Sequence, residues 1–283
     1  VHCGFAMECI VKTPFQLEHH MFEPACTRAG PDVVMLHGIC TGAWVFPEHF
    51  MTPFVEAGFR VHTLSYRGHG ESEGHSEIQR FRLSDYVDDV LSIVKTLDHP
   101  PLVLGHSLGT AIAQILIRDR YPLAGVCLMS PVPPFGLAQV SFRMLWSDPV
   151  AYQQLAIALT VGVKHVSKKS GARLLFSTKD VSPLIEEFFM RCDDESPWLA
   201  MDLQGIPRIG PVRYDPERDP PVMVVSGRED QLIRLQDAEA TADFYRTPLH
   251  AIDGGSHMLM FDPEAIETAR LICQKFADMG VTV

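Results

Sequence analysis

Residues 101–118, PLVLGHSLGTAIAQILIR, contain the feature from which the fold is predicted. Leu102 to Leu104 is a short apolar run typical of a buried strand, and Leu108 to Arg118 has the pattern of a helix. Between them lies a GxSxG pentapeptide, Gly105 to Gly109. At a sharp strand-to-helix turn, the residues two before and two after the serine come so close that only glycine fits. The stretch therefore predicts a turn that presents Ser107 at the N-terminus of a helix, where backbone N–H groups favour negative charge.

Short β-rich runs alternate with helical patterns on both sides of this turn. Strands are predicted at about 32–37, 59–66, 123–129, 222–226 and 249–252, and helices at about 47–57, 84–94, 236–245 and 263–279. Strands that alternate with helices are joined by right-handed crossovers into a mostly parallel sheet with helices on both faces. The sequence therefore predicts an α/β fold.

The regular alternation is lost between Pro131 and Asp219. One part of this segment is apolar and helical, and another part is rich in proline. Because the strands on both sides belong to the same predicted sheet, the segment must leave the sheet and return to it. We therefore predict one core domain, formed by residues 1–130 and 220–283, with an inserted cap, or lid, at 131–219.

Composition and charge exclude several classes of function. The 283 residues are 46% hydrophobic and 21% charged, as in a folded globular protein, and the net charge of −11 disfavours nucleic acids and anionic membranes. The longest apolar stretch, at 101–117, is interrupted by polar residues, so no membrane span is predicted. Seven cysteines without a CxxC pair, and no secretory signal, indicate a reduced, cytoplasmic protein. No phosphate-binding, dinucleotide or metal-ligand motif appears, so no cofactor or metal is predicted. Composition leaves the oligomeric state open.

A serine hydroxyl becomes a good nucleophile only when a base takes its proton and an acid orients that base. Asp230 and His257 each follow a predicted strand at its carboxyl end, on the same sheet edge as Ser107. Asp230 is preferred to Glu229, because adjacent residues that leave a strand point in opposite directions. The sequence therefore predicts Ser107 as nucleophile, His257 as base and Asp230 as the orienting acid.

Two other histidines are candidates near this site. His106 flanks the serine, but successive side chains diverge, so it is poorly placed as the base. His37 precedes a glycine turn and is expected to pack or to form hydrogen bonds. Both are candidate residues of the substrate pocket, together with Trp146 and Phe135 from the predicted cap. For any one of these apolar residues, packing between cap and core is the simpler interpretation.

Attack on a carbonyl group creates an oxyanion that needs two preorganised donors. The backbone N–H of Leu108, directly after the nucleophile, is one predicted donor. The turn at 37–40 supplies the other, the N–H of Ile39, and Gly38 lets this backbone come close to the reacting centre. Cys40 is expected to be inert, because no basic residue lies beside it to form a thiolate.

Five motifs, in this order, resemble the α/β-hydrolase fold superfamily. They are HGICTGAW at 37–44, SYRGHGESEG at 65–74, LGHSLGTAIAQ at 104–114, SGREDQLI at 226–233 and GGSHMLMFD at 254–262. The resemblance extends from Asp32 to the C-terminus and points to the serine esterase, lipase and monoacylglycerol-lipase-like branch. It implies a mostly parallel sheet of the eight-stranded type, the triad of Ser107, His257 and Asp230, and oxyanion donors at Ile39 and Leu108. The serine differs from the aspartate that epoxide hydrolases and haloalkane dehalogenases of the superfamily use as nucleophile.

The main functional prediction is a cofactor-independent serine hydrolase that cleaves a small to medium acyl or aryl ester through an acyl-enzyme. The same machinery serves thioesters, lactones and carbon–carbon bonds beside a carbonyl group, so the predicted partner is a small-molecule ester or thioester. A third interpretation is a non-catalytic receptor that binds a small molecule on this fold. Loss of a triad residue is the usual sign of such a receptor, and all three positions are filled here.

Overall fold

A computed structural model describes residues 7–8, 11–12, 14–24, 30–178 and 182–279 of the chain. The strands are Met7–Glu8 (β1), Val11–Lys12 (β2), Gln16–Leu17 (β3), His19–Phe22 (β4), Val33–Leu36 (β5), Val61–Leu64 (β6), Leu102–His106 (β7), Gly125–Met129 (β8), Val222–Gly227 (β9) and Leu249–Ile252 (β10). The helices are Glu48–Glu56 (α1), Leu83–Val94 (α2), Leu108–Arg118 (α3), Ala138–Ser147 (α4), Pro149–Thr160 (α5), Lys168–Phe176 (α6), Pro183–Arg191 (α7), Pro197–Asp202 (α8), Leu235–Phe244 (α9) and Ala265–Asp278 (α10). Short 3₁₀ turns occur at Ala43–Val45, His75–Arg80 and Val163–His165.

The main sheet has eight strands in the order β1-β4-β6-β5-β7-β8-β9-β10, and β2 pairs separately with β3. Strands β6, β5, β7, β8, β9 and β10 run parallel to one another. At one edge, β4 is antiparallel to β6 and β1 is antiparallel to β4. The predicted α/β fold with a mostly parallel sheet is confirmed.

Side chains along the central strands alternate between two apolar cores. On one face, residues such as Val103 pack with helices α2, α3 and α9. On the other face, Leu102 and Leu104 pack with α1 and α10. Because β5, β7, β8 and β9 are buried along their whole length, they appear in the sequence as continuous apolar runs. This buried sheet fixes the positions of the turns at its carboxyl edge.

Helices α4 to α8 all lie between β8 and β9, in the segment where the sequence loses its regular alternation. Three of them begin at a proline that follows a capping side chain: the carboxylate of Asp148 caps α5, and the hydroxyls of Ser182 and Ser196 cap α7 and α8. A capping oxygen satisfies a free N–H of the first turn, and proline lacks the N–H that would stay unpaired there. The start of each of these helices is therefore encoded locally.

Candidate active site

Ser107 occupies the turn between β7 and α3 with φ 50° and ψ −114°. A positive φ in a residue other than glycine is strained, and such strain clusters at functional sites. A Cβ atom on Gly105 would lie 2.5 Å from the backbone of Gly109, and one on Gly109 would lie 2.2 Å from the carbonyl oxygen of Leu36. The turn can therefore form only because both positions are glycine, and it places Ser107 at the carboxyl edge of the sheet.

His257 and Asp230 contact each other beside this turn. His257 Nδ1 lies 2.8 Å from Asp230 Oδ2, and the other carboxylate oxygen accepts the backbone N–H groups of Leu232 at 2.9 Å and Ile233 at 2.8 Å. Because a carboxylate only accepts, it holds the imidazole proton on Nδ1 and leaves Nε2 free to take a proton. Glu229, the sequence alternative to Asp230, is exposed.

Ser107 and His257 line the same cavity. Among the described residues, no hydrogen bond joins the Ser107 hydroxyl to His257. Catalytic hydrogen bonds are often long in ligand-free enzymes and shorten when substrate binds. Proton transfer from Ser107 to His257 therefore requires the two side chains to come within hydrogen-bond distance.

The N–H groups of Ile39 and Leu108 have no acceptor within the part of the chain that the structure describes. Both residues line a cavity together with Ser107. The turn that carries Ile39 approaches Ser107 closely, since a Cβ on Gly38 would lie 3.3 Å from the Cβ of Ser107. Two free N–H groups beside a serine are the donors that an oxyanion requires.

His37 was expected to line the substrate pocket, but the structure places it beneath this turn, fully buried and outside the lining of both cavities at Ser107. Its Nε2 accepts the Tyr66 N–H at 3.1 Å, and its Nδ1 donates to the Gly38 carbonyl at 2.8 Å. The Thr41 hydroxyl donates to the same carbonyl at 3.0 Å. In a trans peptide the N–H points away from the C=O, so holding this carbonyl directs the N–H of Ile39 to the opposite side. Burial lowers the pKa of His37 well below its usual value, which keeps the ring neutral.

Glu195, between α7 and α8, holds the other end of the turn. The N–H of Cys40, a residue with φ 58°, donates to Glu195 Oε2 at 3.2 Å, and His69 Nε2 lies 3.2 Å from the same oxygen. The second oxygen accepts the Tyr86 hydroxyl at 2.8 Å and the Ser196 N–H at 2.9 Å. The sequence contains no signal for this role, because nothing local distinguishes Glu195 from the acidic residues around it.

Glu195 and His69 form a buried ion pair. Burial disfavours charge on both groups, but His69 and the hydrogen-bond donors outweigh it and lower the pKa of Glu195. Burial likewise lowers the pKa of His69, but the charge and hydrogen bond of Glu195, together with Asp193 and the Arg67 carbonyl, outweigh it and raise that pKa. The turn at 37–40 is thus anchored by a buried pair that includes a residue from the segment between β8 and β9.

His106 lines the cavity that contains Ser107. Its Nε2 donates to the backbone carbonyl of His257 at 2.9 Å. Burial, with a contribution from the nearby His257, lowers the pKa of His106 to about 3. The ring is therefore neutral and packed against the site, and it does not face Ser107 as a base.

Trp146 and Phe135 were expected to line the substrate pocket, and the structure places both elsewhere. Trp146, on α4, is 75% exposed. Phe135 is 49% exposed and packs edge-on against Phe244, with the Arg208 guanidinium 4.8 Å from its ring centre. Neither lines the cavities at the nucleophile. On α4 the inward positions are Val140 and Met144, and Trp146 falls on the opposite face.

Two further observations concern ligands and membranes. In the described ranges, no group of three or more histidine, cysteine, aspartate or glutamate side chains is placed to hold a metal ion. None of the described helices combines the length and the apolar character required to cross a bilayer.

Comparison with known proteins identifies the family. The model of the alpha/beta hydrolase family matches residues 33–269, which is most of the chain. The chain belongs to this family. The resemblance stated from the five sequence motifs is confirmed.

Individual alpha/beta hydrolases are similar to this chain over different lengths. A protein named AB hydrolase superfamily protein YfhM, from Bacillus subtilis, is 32% identical over 92 residues, which are 32% of this chain and 32% of that protein. Epoxide hydrolase B of Mycobacterium tuberculosis is 28% identical over 96 residues, 34% of this chain and 27% of that protein. The match thus spans a third or less of either relative. A monoacylglycerol lipase from Paleococcus ferrophilus has the same fold, with a TM-score of 0.66, 19% identity and coverage of 93% of this chain and 99% of the lipase.

Proposed function

We propose that this alpha/beta hydrolase is a serine hydrolase that cleaves carboxylic esters, with small to medium acyl or aryl groups, through an acyl-enzyme. The observation that carries the proposal is the alignment of three groups at one sheet edge. Asp230 holds His257 by a 2.8 Å contact, and His257 lines the same cavity as the strained Ser107. An oriented base that lines the same cavity as a serine hydroxyl is the arrangement that nucleophilic acyl transfer needs.

Each group has a distinct role in this mechanism. Nε2 of His257 takes the proton as Ser107 Oγ attacks the carbonyl carbon, and the N–H groups of Ile39 and Leu108 receive the oxyanion. Asp230 stabilises the imidazolium, which then protonates the departing alkoxide. A water molecule, deprotonated by the same imidazole, attacks the acyl-enzyme and releases the acid.

The nucleophile also bears on the choice between esters and epoxides. Epoxide hydrolase B is similar to only 34% of this chain, so its activity does not carry over. A serine hydroxyl activated by histidine, with two N–H donors beside it, suits a carbonyl substrate whose oxygen becomes an anion. The same groups cleave thioesters and lactones, and a panel containing all three bond types separates these activities.

We also propose that residues 131–219 act as a cap over the site. Helices α4 to α7 of this segment supply side chains to the cavities at Ser107, among them Met144, Leu155, Leu174 and Phe188. A cover of apolar side chains excludes water and strengthens the electrostatic contacts beneath it.

Replacement of the nucleophile tests the proposed function. Ser107→Ala is expected to abolish both labelling by a fluorophosphonate probe and hydrolysis of 4-nitrophenyl butyrate. Ser226→Ala is the matched control, because Ser226 is a buried serine in β9 whose hydroxyl has no partner among the described residues. The control should be labelled and active. Labelling or turnover retained by folded Ser107→Ala would refute the assignment.

A further inference from the structure

Two apolar cavities meet at the nucleophile, and each reaches a different part of the site. The His257 chamber is lined by His257 and by residues of α6 and α7 such as Phe188. The Leu108 chamber is lined by Leu108 and by residues of α4 such as Met144. Among the described residues, four line both chambers: Ile39, Ser107, Leu155 and Leu232. A carbonyl carbon beside Ser107 therefore has one chamber on each side.

Charged side chains are missing from the lining of both chambers in the described part of the chain: neither contains a lysine, arginine, aspartate or glutamate. The His106 ring adds no charge, because its pKa is lowered to about 3. A carboxylate, phosphate or ammonium group buried without a partner is strongly disfavoured, because it loses its hydration and gains no opposite charge. The chambers therefore favour a ligand that carries no charge on either side of its carbonyl group.

The chemistry of the leaving group orients the ligand between the chambers. The alkoxide that departs takes its proton from His257, so it must lie on the side of the His257 chamber. The carbonyl oxygen is held between the N–H groups of Ile39 and Leu108. Leu108 lines only the second chamber, so that chamber is left for the acyl chain.

We propose that the substrate is an uncharged ester with an apolar group on each side of its carbonyl, whose acyl group occupies the Leu108 chamber and whose alcohol group occupies the His257 chamber. This assignment rests on the proposed function. The bond from Ser107 Oγ to the carbonyl carbon forms, the bond to the alcohol oxygen breaks, and the proton from His257 gives a neutral alcohol. When the alcohol leaves, the His257 chamber is open to the water that hydrolyses the acyl-enzyme, while the acyl chain stays in its own chamber.

Helix α5 provides a matched pair of variants for the test. Ala156 lines only the Leu108 chamber and Ala158 lines only the His257 chamber, and both side chains are partly buried. Phenylalanine at either position adds the same volume to the same helix. The substrates form two series, one of 4-nitrophenyl esters from acetate to octanoate and one of acetates from methyl to hexyl.

The two variants are expected to act on different series. Ala156→Phe should lower kcat/KM for the octanoate relative to the acetate by about tenfold or more, since one methylene in an apolar pocket changes kcat/KM by about 10–200-fold. It should leave the ratio of hexyl to methyl acetate unchanged. Ala158→Phe should have the opposite effect. It should lower kcat/KM for hexyl acetate relative to methyl acetate and leave the ratio of octanoate to acetate in the 4-nitrophenyl series unchanged.

Several outcomes would overturn the assignment. The chambers do not divide the substrate as proposed if Ala156→Phe lowers the hexyl-to-methyl acetate ratio of kcat/KM and Ala158→Phe lowers the octanoate-to-acetate ratio. The same conclusion follows if each variant lowers both ratios equally. A monohexyl dicarboxylate carries a free carboxylate, and the corresponding methyl hexyl diester carries no charge. Equal rates of hexanol release from the two compounds would refute the preference for uncharged esters. Fluorophosphonate labelling of Ser107 and turnover of 4-nitrophenyl acetate by the wild type test the proposed function alone. If these succeed and the variants do not separate, only the chamber assignment fails, and if labelling fails, both proposals fall.

Discussion

Glu195→Gln is the sharpest test of how the turn at 37–40, the proposed oxyanion turn, is held. Both carboxylate oxygens of Glu195 accept a backbone N–H, one from Cys40 and one from Ser196. An amide has only one accepting oxygen, and its NH₂ group cannot accept. Whichever way the glutamine side chain turns, one buried N–H therefore faces an NH₂ group, and the charge opposite His69 is lost.

The expected loss of stability follows from burial. A buried donor left without an acceptor costs about 1–3 kcal/mol. Removal of one partner from a buried ion pair costs about 3–5 kcal/mol. Because the two losses overlap at the same carboxylate, we expect the free energy of unfolding of Glu195→Gln to fall by about 3–5 kcal/mol. Tyr86→Phe is the control, since it removes only one neutral donor from Glu195 and should cost about 1 kcal/mol.

The effect of Glu195→Gln should also depend on pH. The folded-state pKa of Glu195 is lowered from 4.5, so its contribution is present above that pH and is lost as the pH falls through the folded value. The pKa of His69 is raised from 6.5, so its contribution is present below that pH and is lost as the pH rises through the folded value. The difference in the free energy of unfolding between the wild type and Glu195→Gln should thus be greatest between pH 4.5 and 6.5.

Urea denaturation measures these differences. The urea midpoints of wild type, Glu195→Gln and Tyr86→Phe are compared at about pH 6 and about pH 9. A difference in midpoint reports a difference in stability when the m value is unchanged. The reasoning fails if Glu195→Gln is as stable as the wild type or as Tyr86→Phe near pH 6. It also fails if the gap between wild type and Glu195→Gln does not narrow at the higher pH.

Two further substitutions test the nucleophile turn and the triad. Asp230→Asn should lower kcat for 4-nitrophenyl butyrate by about 10⁴-fold, because the asparagine amide no longer keeps the proton on His257 Nδ1. A kcat within about tenfold of wild type would contradict the assignment of Asp230. Gly109→Ala should lower the free energy of unfolding by about 3 kcal/mol, because its Cβ would lie 2.2 Å from the Leu36 carbonyl oxygen. Gly254→Ala is the control, because among the described residues its Cβ would have no neighbour nearer than 3.9 Å. It should lower the free energy of unfolding only by the strain of its positive φ, about 1 kcal/mol. Equal urea midpoints for Gly109→Ala and Gly254→Ala would refute this explanation.

The nucleophile turn and the central sheet were predictable because their signals are local. The strands are buried on both faces, so they stand out as continuous apolar runs. Gly105 and Gly109 are required by backbone approaches within the turn or to the adjacent strand, so their spacing already predicts the geometry of Ser107. The capping signals at Asp148, Ser182 and Ser196 are equally local, and they delimit helices in the segment whose alternation is irregular.

The support of the oxyanion turn was not predictable, because it depends on contacts between distant residues. Cys40 and Glu195 are 155 positions apart and meet only in the folded chain. The position of Trp146, which was expected to line the substrate pocket, was not predictable for a related reason. Helix α4 has apolar side chains on both its buried and its exposed face, so residue type alone does not tell which of them point inward.

The contact between Glu195 and Cys40 has a consequence for the engineering and divergence of this protein. The segment that shapes the chambers also contains the carboxylate that holds the oxyanion turn. A chimera that received residues 131–219 from another hydrolase would gain new cavity walls and lose the carboxylate that anchors the turn at 37–40. Exchange of this segment therefore requires that the new segment place an acidic side chain at the same position, or that the turn be redesigned to be stable without it.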